Sequence, residues 1–257
     1  MRILFQFPLS HYCEKARWLL DYKELDYVAK NVIPGPHRLL TRWHASSDTL
    51  PLLKDKKTWI GDSTEIAFYL DGVYAEKPLI SNDPKQRSAI VALDKKANDL
   101  GYHVRRWMYL YLINEPHTMD IMVGERGFLN TFKGLMTPII KKGVKDLYKI
   151  NPEKAAKSKE RIDVLIDEIE AALLANGSDG KQGYLVGKQF SLADISVCAL
   201  AAPLFGIEGT PWIVPSHVIP PEPLEQYKQA LLARPFGQYV VRIYASDRKA
   251  RVDWRGQ

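Results

Sequence analysis

Hydrophobic and polar positions follow two different rhythms along this chain. In the first third they come in short runs. Ile3, Leu4 and Phe5 predict a strand over residues 2 to 7, and Ala16, Leu19 and Leu20 lie on one face of a helix over 13 to 23. Apolar positions alternate from Asp26 to Val32, which predicts a second strand, and Pro34-Gly35-Pro36 then forces a turn. A short helical or irregular piece follows from Arg38 to His44. Leu52-Leu53 and Thr58-Trp59-Ile60 read as two strands around the polar turn Asp55-Lys56-Lys57, and Ile66, Phe68, Tyr69 and Leu70 mark a helix over 63 to 74. Strand, helix, strand, hairpin and helix make a compact α/β unit whose sheet mixes parallel and antiparallel neighbours.

After Lys77 to Pro84, a stretch rich in proline and small polar residues that reads as a linker, the period becomes helical. Ile90, Leu93, Ala97, Leu100, Val104, Trp107 and Tyr111 alternate steps of three and four and lay an apolar seam along one long helix. Ile162, Leu165, Ile166, Ile169 and Leu173 form a second seam. These patterns divide the chain into an α/β domain over 1 to 76 and an all-helical bundle over 85 to 257. Phe190-Ser191-Leu192-Ala193-Asp194-Ile195 has the form of a helix start, with Ser191 as cap, Asp194 returning the bond, and Phe190 packing on Ile195. Six prolines between Ala202 and Pro223 predict an extended loop there, and the stretch from Asn114 to Asn151 is long and weakly patterned.

Composition narrows the class. At 257 residues, with 46% hydrophobic and 26% charged residues, the chain suits a soluble globular protein of two unequal domains. No segment approaches the roughly 20 apolar residues of a membrane span, and the apolar run at the start is too short for a signal peptide, so a cytoplasmic protein is expected. The net charge of +6 is spread among acids without a nucleic-acid recognition motif; it favours a small anionic ligand instead. Cys13 and Cys198 are far apart and show no metal-ligand spacing, which suggests reduced thiols and no metal.

The candidate chemistry sits where the first strand breaks at Pro8 and restarts as a helix. Ser10, His11, Tyr12 and Cys13 occupy that break in the layout of a C-x-x-C motif with serine in the first place. Amides that open a helix lack partners inside it, so the turn offers free N–H groups and a positive dipole end to an anion such as a thiolate. Leu50-Pro51 before a strand and Asp62-Ser63 at a helix start follow in order. With these three elements the first third resembles the amino-terminal thioredoxin-like domain of cytosolic glutathione transferases, in their bacterial, serine-type or omega-like branches. The Ser191 to Asp194 cap resembles that of their helical domain.

The resemblance implies glutathione as co-substrate and a role for each matching residue. Ser10 would stabilise the glutathione thiolate; Leu50, before a cis Pro51, would pair with the cysteinyl backbone. Ser63 would hold the γ-glutamyl carboxylate and Asp62 its ammonium group, although Asp62 with Glu65 also reads as a capping box. His37, beside Arg38, lies where the glycyl end is met. His11, exposed at the mouth, and Tyr102, Arg105, Arg106 and Tyr109, facing away from the seam, are candidates for the second-substrate pocket. Cys13 reads as a small buried residue or as a lone working thiol. A homodimer and attack of glutathione sulfur on an electrophilic, largely apolar compound are expected, as in detoxification. Glutathione-dependent reduction or dehalogenation, and non-catalytic ligand binding on the same fold, are the alternatives.

Overall fold

The computed structural model describes residues 1–123 and 131–257. Four strands, β1 (Arg2–Gln6), β2 (Tyr27–Asn31), β3 (Leu52–Asp55) and β4 (Thr58–Gly61), form one sheet in the order β2-β1-β3-β4. β1 pairs with β2 in parallel and with β3 antiparallel, and β3 pairs with β4 antiparallel. Three helices complete this part: α1 (His11–Tyr22), α2 (His37–Ala45) and α3 (Ser63–Val73). The parallel β1–β2 pair needs a crossover, which α1 supplies, while the β3–β4 hairpin turns at Lys56, whose φ of 54° is left-handed. The sheet and its helices have the thioredoxin-like arrangement.

α1 begins two residues before the predicted start. Ser10 is in extended conformation (φ −83°, ψ 118°), and its side chain accepts from the Cys13 N–H, so the serine is the N-cap and His11 already lies inside the helix. Of the two readings for the piece around Arg38, the helical one holds: it is a regular helix that follows Pro36 without a side-chain cap.

The remainder is helical: α4 (Pro84–Leu112), α5 (Pro116–Val123), α6 (Lys133–Tyr148), α7 (Pro152–Ala175), α8 (Leu192–Ala201), a 3-10 turn (Ala202–Leu204), α9 (Glu222–Leu232) and α10 (Pro235–Asp247). Both seams are buried apart from Tyr111, which is half-buried. The weakly patterned stretch from Asn114 to Asn151 holds α5 and α6, with 124 to 130 outside the described residues. The proline-rich loop is irregular over most of its length but helical at both ends: Ala202–Leu204 is a 3-10 turn, and Glu222 and Pro223 open α9.

Every residue of α8 is buried, because α8 packs against α1 on one side and α4 on the other. Its start has the predicted capping box. Asp194 accepts from the Ser191 N–H at 2.7 Å, the Leu185 N–H at 2.9 Å and the Tyr239 hydroxyl. The Phe190 ring lies 5.1 Å from Tyr22 and 6.2 Å from Trp18, which brings the start of α8 onto α1. One apolar core runs from Leu4, Trp18 and Leu19 through Leu93, Ala97 and Leu100 to Ile166, Ile195 and Val240.

The tail after α10 returns to the sheet, a feature with no sign in the hydrophobic pattern. Arg248 is buried between Glu14 Oε1 at 2.7 Å and Asp21 Oδ2 at 2.8 Å. Beyond it the Gln257 N–H donates to Ala29 O at 2.9 Å, and the Asn31 N–H donates to Gln257 O at 2.8 Å. Gln6 Nε2 donates to Trp254 O at 3.0 Å. Gly256 (φ 63°) is pressed against this strand: a Cβ there would lie 2.8 Å from Ala29 O.

Candidate functional site

Sheet register brings the three motif segments to one end of the sheet. Phe5 pairs with Leu52, and Leu52 pairs with Gly61. The loop leaving β1, the Leu50-Pro51 step entering β3 and the Asp62-Ser63 step leaving β4 therefore lie side by side.

In the first of these, the Ser10 N–H donates to Phe7 O at 3.1 Å and Ser10 Oγ accepts from the Cys13 N–H at 3.4 Å. That capping bond uses an acceptor lone pair and leaves the hydroxyl proton free to donate. Cys13 points the other way, into a cluster with Phe5, Leu50 and Leu52, and burial pushes its thiol up from the ordinary value. The Leu50-Pro51 bond is cis. Among the described residues no backbone partner is found for the Leu50 N–H.

At the third segment Asp62 caps α3: its Oδ1 accepts from the Thr64 N–H at 2.7 Å and the Glu65 N–H at 3.3 Å. Among the described residues no return bond from the Glu65 side chain is found, so the capping box is one-sided. Ser63 is buried, and among the described residues its Oγ has no hydrogen-bond partner. Such a hydroxyl carries a desolvation cost that a bound polar group would remove. The start of α3 is pinned by a buried network: Lys15 Nζ donates to Asp94 Oδ1 at 2.6 Å and to Thr64 Oγ1 at 2.9 Å, and Thr64 Oγ1 donates to Asp94 Oδ2 at 2.8 Å. Lys15 and Asp94 have no sequence signature, since their pairing joins α1 to α4.

His37 opens α2, with its ring edge-on to Phe7 at 4.8 Å, one residue layer from the Ser10 loop. Its Nδ1 accepts from the Gly35 N–H at 3.1 Å, and burial holds the imidazole below its ordinary value, with Arg38 acting in the same sense.

A pocket of about 530 Å³, counting its open mouth, begins on both sides of Ser10, at Leu9 and His11, and extends to α4, α5 and the proline-rich loop. His11 lines it but is not exposed. The ring is 3% accessible because Nε2 donates to Gly101 O at 3.0 Å, and burial, aided by Arg105, lowers its pKa to about 3. It is therefore a neutral imidazole. Arg105 and Tyr109 also line the pocket, and burial raises the Tyr109 phenol.

Tyr102 and Arg106 do not line the pocket. Arg106 Nε donates to Tyr148 O at 2.9 Å and its Nη2 to the Tyr102 hydroxyl, so both face α6 and α7. His117 on α5 and Trp212 in the loop are among the pocket residues that escaped the sequence reading. Neither lies in a motif; they enter the wall through the chain's long-range path.

Among the described residues no helix is long and apolar enough to cross a membrane. The model of the glutathione S-transferase N-terminal domain matches residues 4–78. The fold is similar to that of glutathione transferase GSTFuA3 from Phanerochaete chrysosporium (TM-score 0.62, 17% identity, covering 98% of each chain). It is also similar to the β-etherase LigF from Sphingobium sp. (TM-score 0.58, 19% identity, covering 94% of this chain and 98% of that one). A glutathione S-transferase from Methylobacterium radiotolerans, in complex with glutathione sulfonate, matches with TM-score 0.55 and 18% identity, covering 93% of this chain and 94% of that one. Residues 4–78 thus match the glutathione S-transferase N-terminal domain, and the chain as a whole shares the fold of these glutathione transferases.

Proposed function

We propose that the protein is a glutathione transferase in which residues 1 to 76 hold glutathione and residues 85 to 257 shape the pocket for an electrophilic, largely apolar co-substrate. The observation that carries this reading is the unpartnered buried hydroxyl of Ser63, at the same end of the sheet as Ser10 and the cis Leu50-Pro51 step. In this reading the γ-glutamyl carboxylate takes the Ser63 hydroxyl and the first amides of α3. Asp62 faces the ammonium group with the carboxylate oxygen not used in the cap. The Leu50 N–H pairs with the cysteinyl backbone, and His37 is near the glycyl end.

The thiol then lies at the start of α1. Ser10 donates its free hydroxyl proton to sulfur, and the unpaired His11 and Tyr12 amides add the positive end of the helix dipole. Both favour the thiolate, which attacks an electrophilic carbon; a carbon–sulfur bond forms and the leaving group departs with its electron pair. Titrating thiolate absorbance against pH, with and without protein, tests the mechanism. Ser10→Ala is expected to move the bound-thiol curve to higher pH and to slow conjugation of 1-chloro-2,4-dinitrobenzene near neutrality. An unshifted curve removes Ser10 from the chemistry.

The burial and raised pKa of Cys13 favour conjugation over a reductase or dehalogenase that works through that thiol. A non-catalytic ligand-binding role is the remaining reading, and retention on immobilised glutathione without conjugation would establish it. A cytoplasmic homodimer is part of the proposal, and sedimentation that finds only monomer would count against it.

A further inference from the structure

Among the described residues, the pocket beside Ser10 contains two buried nitrogen atoms with no partner, Arg105 Nε and His117 Nε2. Their neighbours show how unusual this is. One residue along, the Arg106 guanidinium reaches three oxygens, on Tyr148, Tyr102 and Ser158. Arg105 instead sits among rings, its Cζ 4.0 Å from the Tyr148 centroid and 5.5 Å from that of Tyr12, and among the described residues it forms no ion pair. Cation–π contacts leave the in-plane N–H donors unused. Among the described residues the pocket wall holds no carboxylate to answer this charge, and much of it is apolar, including Leu9, Met108, Leu112, Ile121 and Trp212.

We propose that this pocket selects a co-substrate bearing a carboxylate on an aromatic body, with the carboxylate on Arg105, a second polar contact to His117 and the ring against Trp212. Three features support it. A guanidinium fork matches a carboxylate in shape and charge, and a partly desolvated unpaired one gains most from such a partner. His11 and Tyr109, the other ring groups of the wall, are held neutral and do not compete for the anion. The apolar wall accepts a ring but offers nothing else to a charge.

The proposal rests on the reading that the reacting thiol lies beside Ser10, so its test is made without glutathione. Calorimetry would compare 2-naphthoate with the neutral 2-naphthylmethanol on the wild-type protein, on Arg105→Gln and on Arg105→Lys. The acid is expected to bind about tenfold or more tightly than the alcohol, as befits a hydrogen-bonded charge. Arg105→Gln should erase that preference and Arg105→Lys should keep part of it. His117→Phe should weaken the acid by a smaller factor. If Arg105→Gln does not fold, as circular dichroism would show, the wild-type preference and Arg105→Lys still decide. Equal affinities, binding of neither probe, or a preference that survives in folded Arg105→Gln overturns the proposal. Glutathione affinity, measured separately, reports on the transferase reading alone.

Discussion

Ser63 carries a hydroxyl that the folded protein does not use, and this separates its contribution to binding from any contribution to stability. Ser63→Ala is expected to weaken glutathione binding about tenfold or more, since a hydrogen bond to a charged group is worth about 1.5 to 3 kcal/mol. Its unfolding midpoint should not fall, because no bond within the protein is lost; calorimetry and urea titration check the two halves. His11 makes a prediction of the opposite kind. Its folded pKa of about 3 lies below the ordinary 6.5, so below that value the unfolded chain binds the proton more readily. Stability from this group is intact above 6.5 and falls progressively toward 3, by on the order of 2 kcal/mol at about pH 5. The urea midpoints measured at neutral and acidic pH should differ less for His11→Gln than for the wild type. The capping position of Ser10 was readable because it depends on neighbours a few residues away, whereas the cis bond at Leu50-Pro51 followed only from the family resemblance. The burial of His11 was not readable: it depends on Gly101, 90 positions later, where an added Cβ would lie 3.1 Å from Nε2.

Helix α4 shows both the reach and the limit of reading elements from periodicity. Its buried seam followed directly from spacing, but the polar side split in two. Tyr102 and Arg106 stand four residues apart and share one face, as do Arg105 and Tyr109 on another, and the pairs are offset by about 60°. Only the second face meets the pocket, because α6 and α7 occupy the space beside the first, and the weak patterning of 114 to 151 gave no means of placing α6. The same helix supplies Asp94 to Lys15 and Thr64. Asp94→Leu removes the partner of a buried ammonium group and is expected to cost about 3 to 5 kcal/mol, more than a surface ion pair contributes. Denaturant unfolding gives that figure directly. Glutathione affinity in the surviving folded protein should also drop, since Thr64 no longer anchors the start of α3.

At the scale of the molecule, the division into two kinds of structure was legible from the change of period, whereas the continuity of the core across that division was not. α8 fills the joint between α1 and α4, and nothing in its sequence says which elements it will meet. The C-terminal tail was equally hidden, since its attachment uses backbone groups and two buried carboxylates on α1. That attachment bears on solubility. β2 stands at the margin of the sheet, where unpaired backbone groups would invite another molecule to add a strand, and Gln257 occupies Ala29 O and the Asn31 N–H before any stranger can. Removing residues 252 to 257, which keeps Arg248 and its ion pairs, should leave a folded protein that self-associates through that margin. Light scattering should rise with concentration while helical circular dichroism stays unchanged, and no added charge on β2 is needed to suppress association when residues 252 to 257 are present, because they already act as the blocking strand.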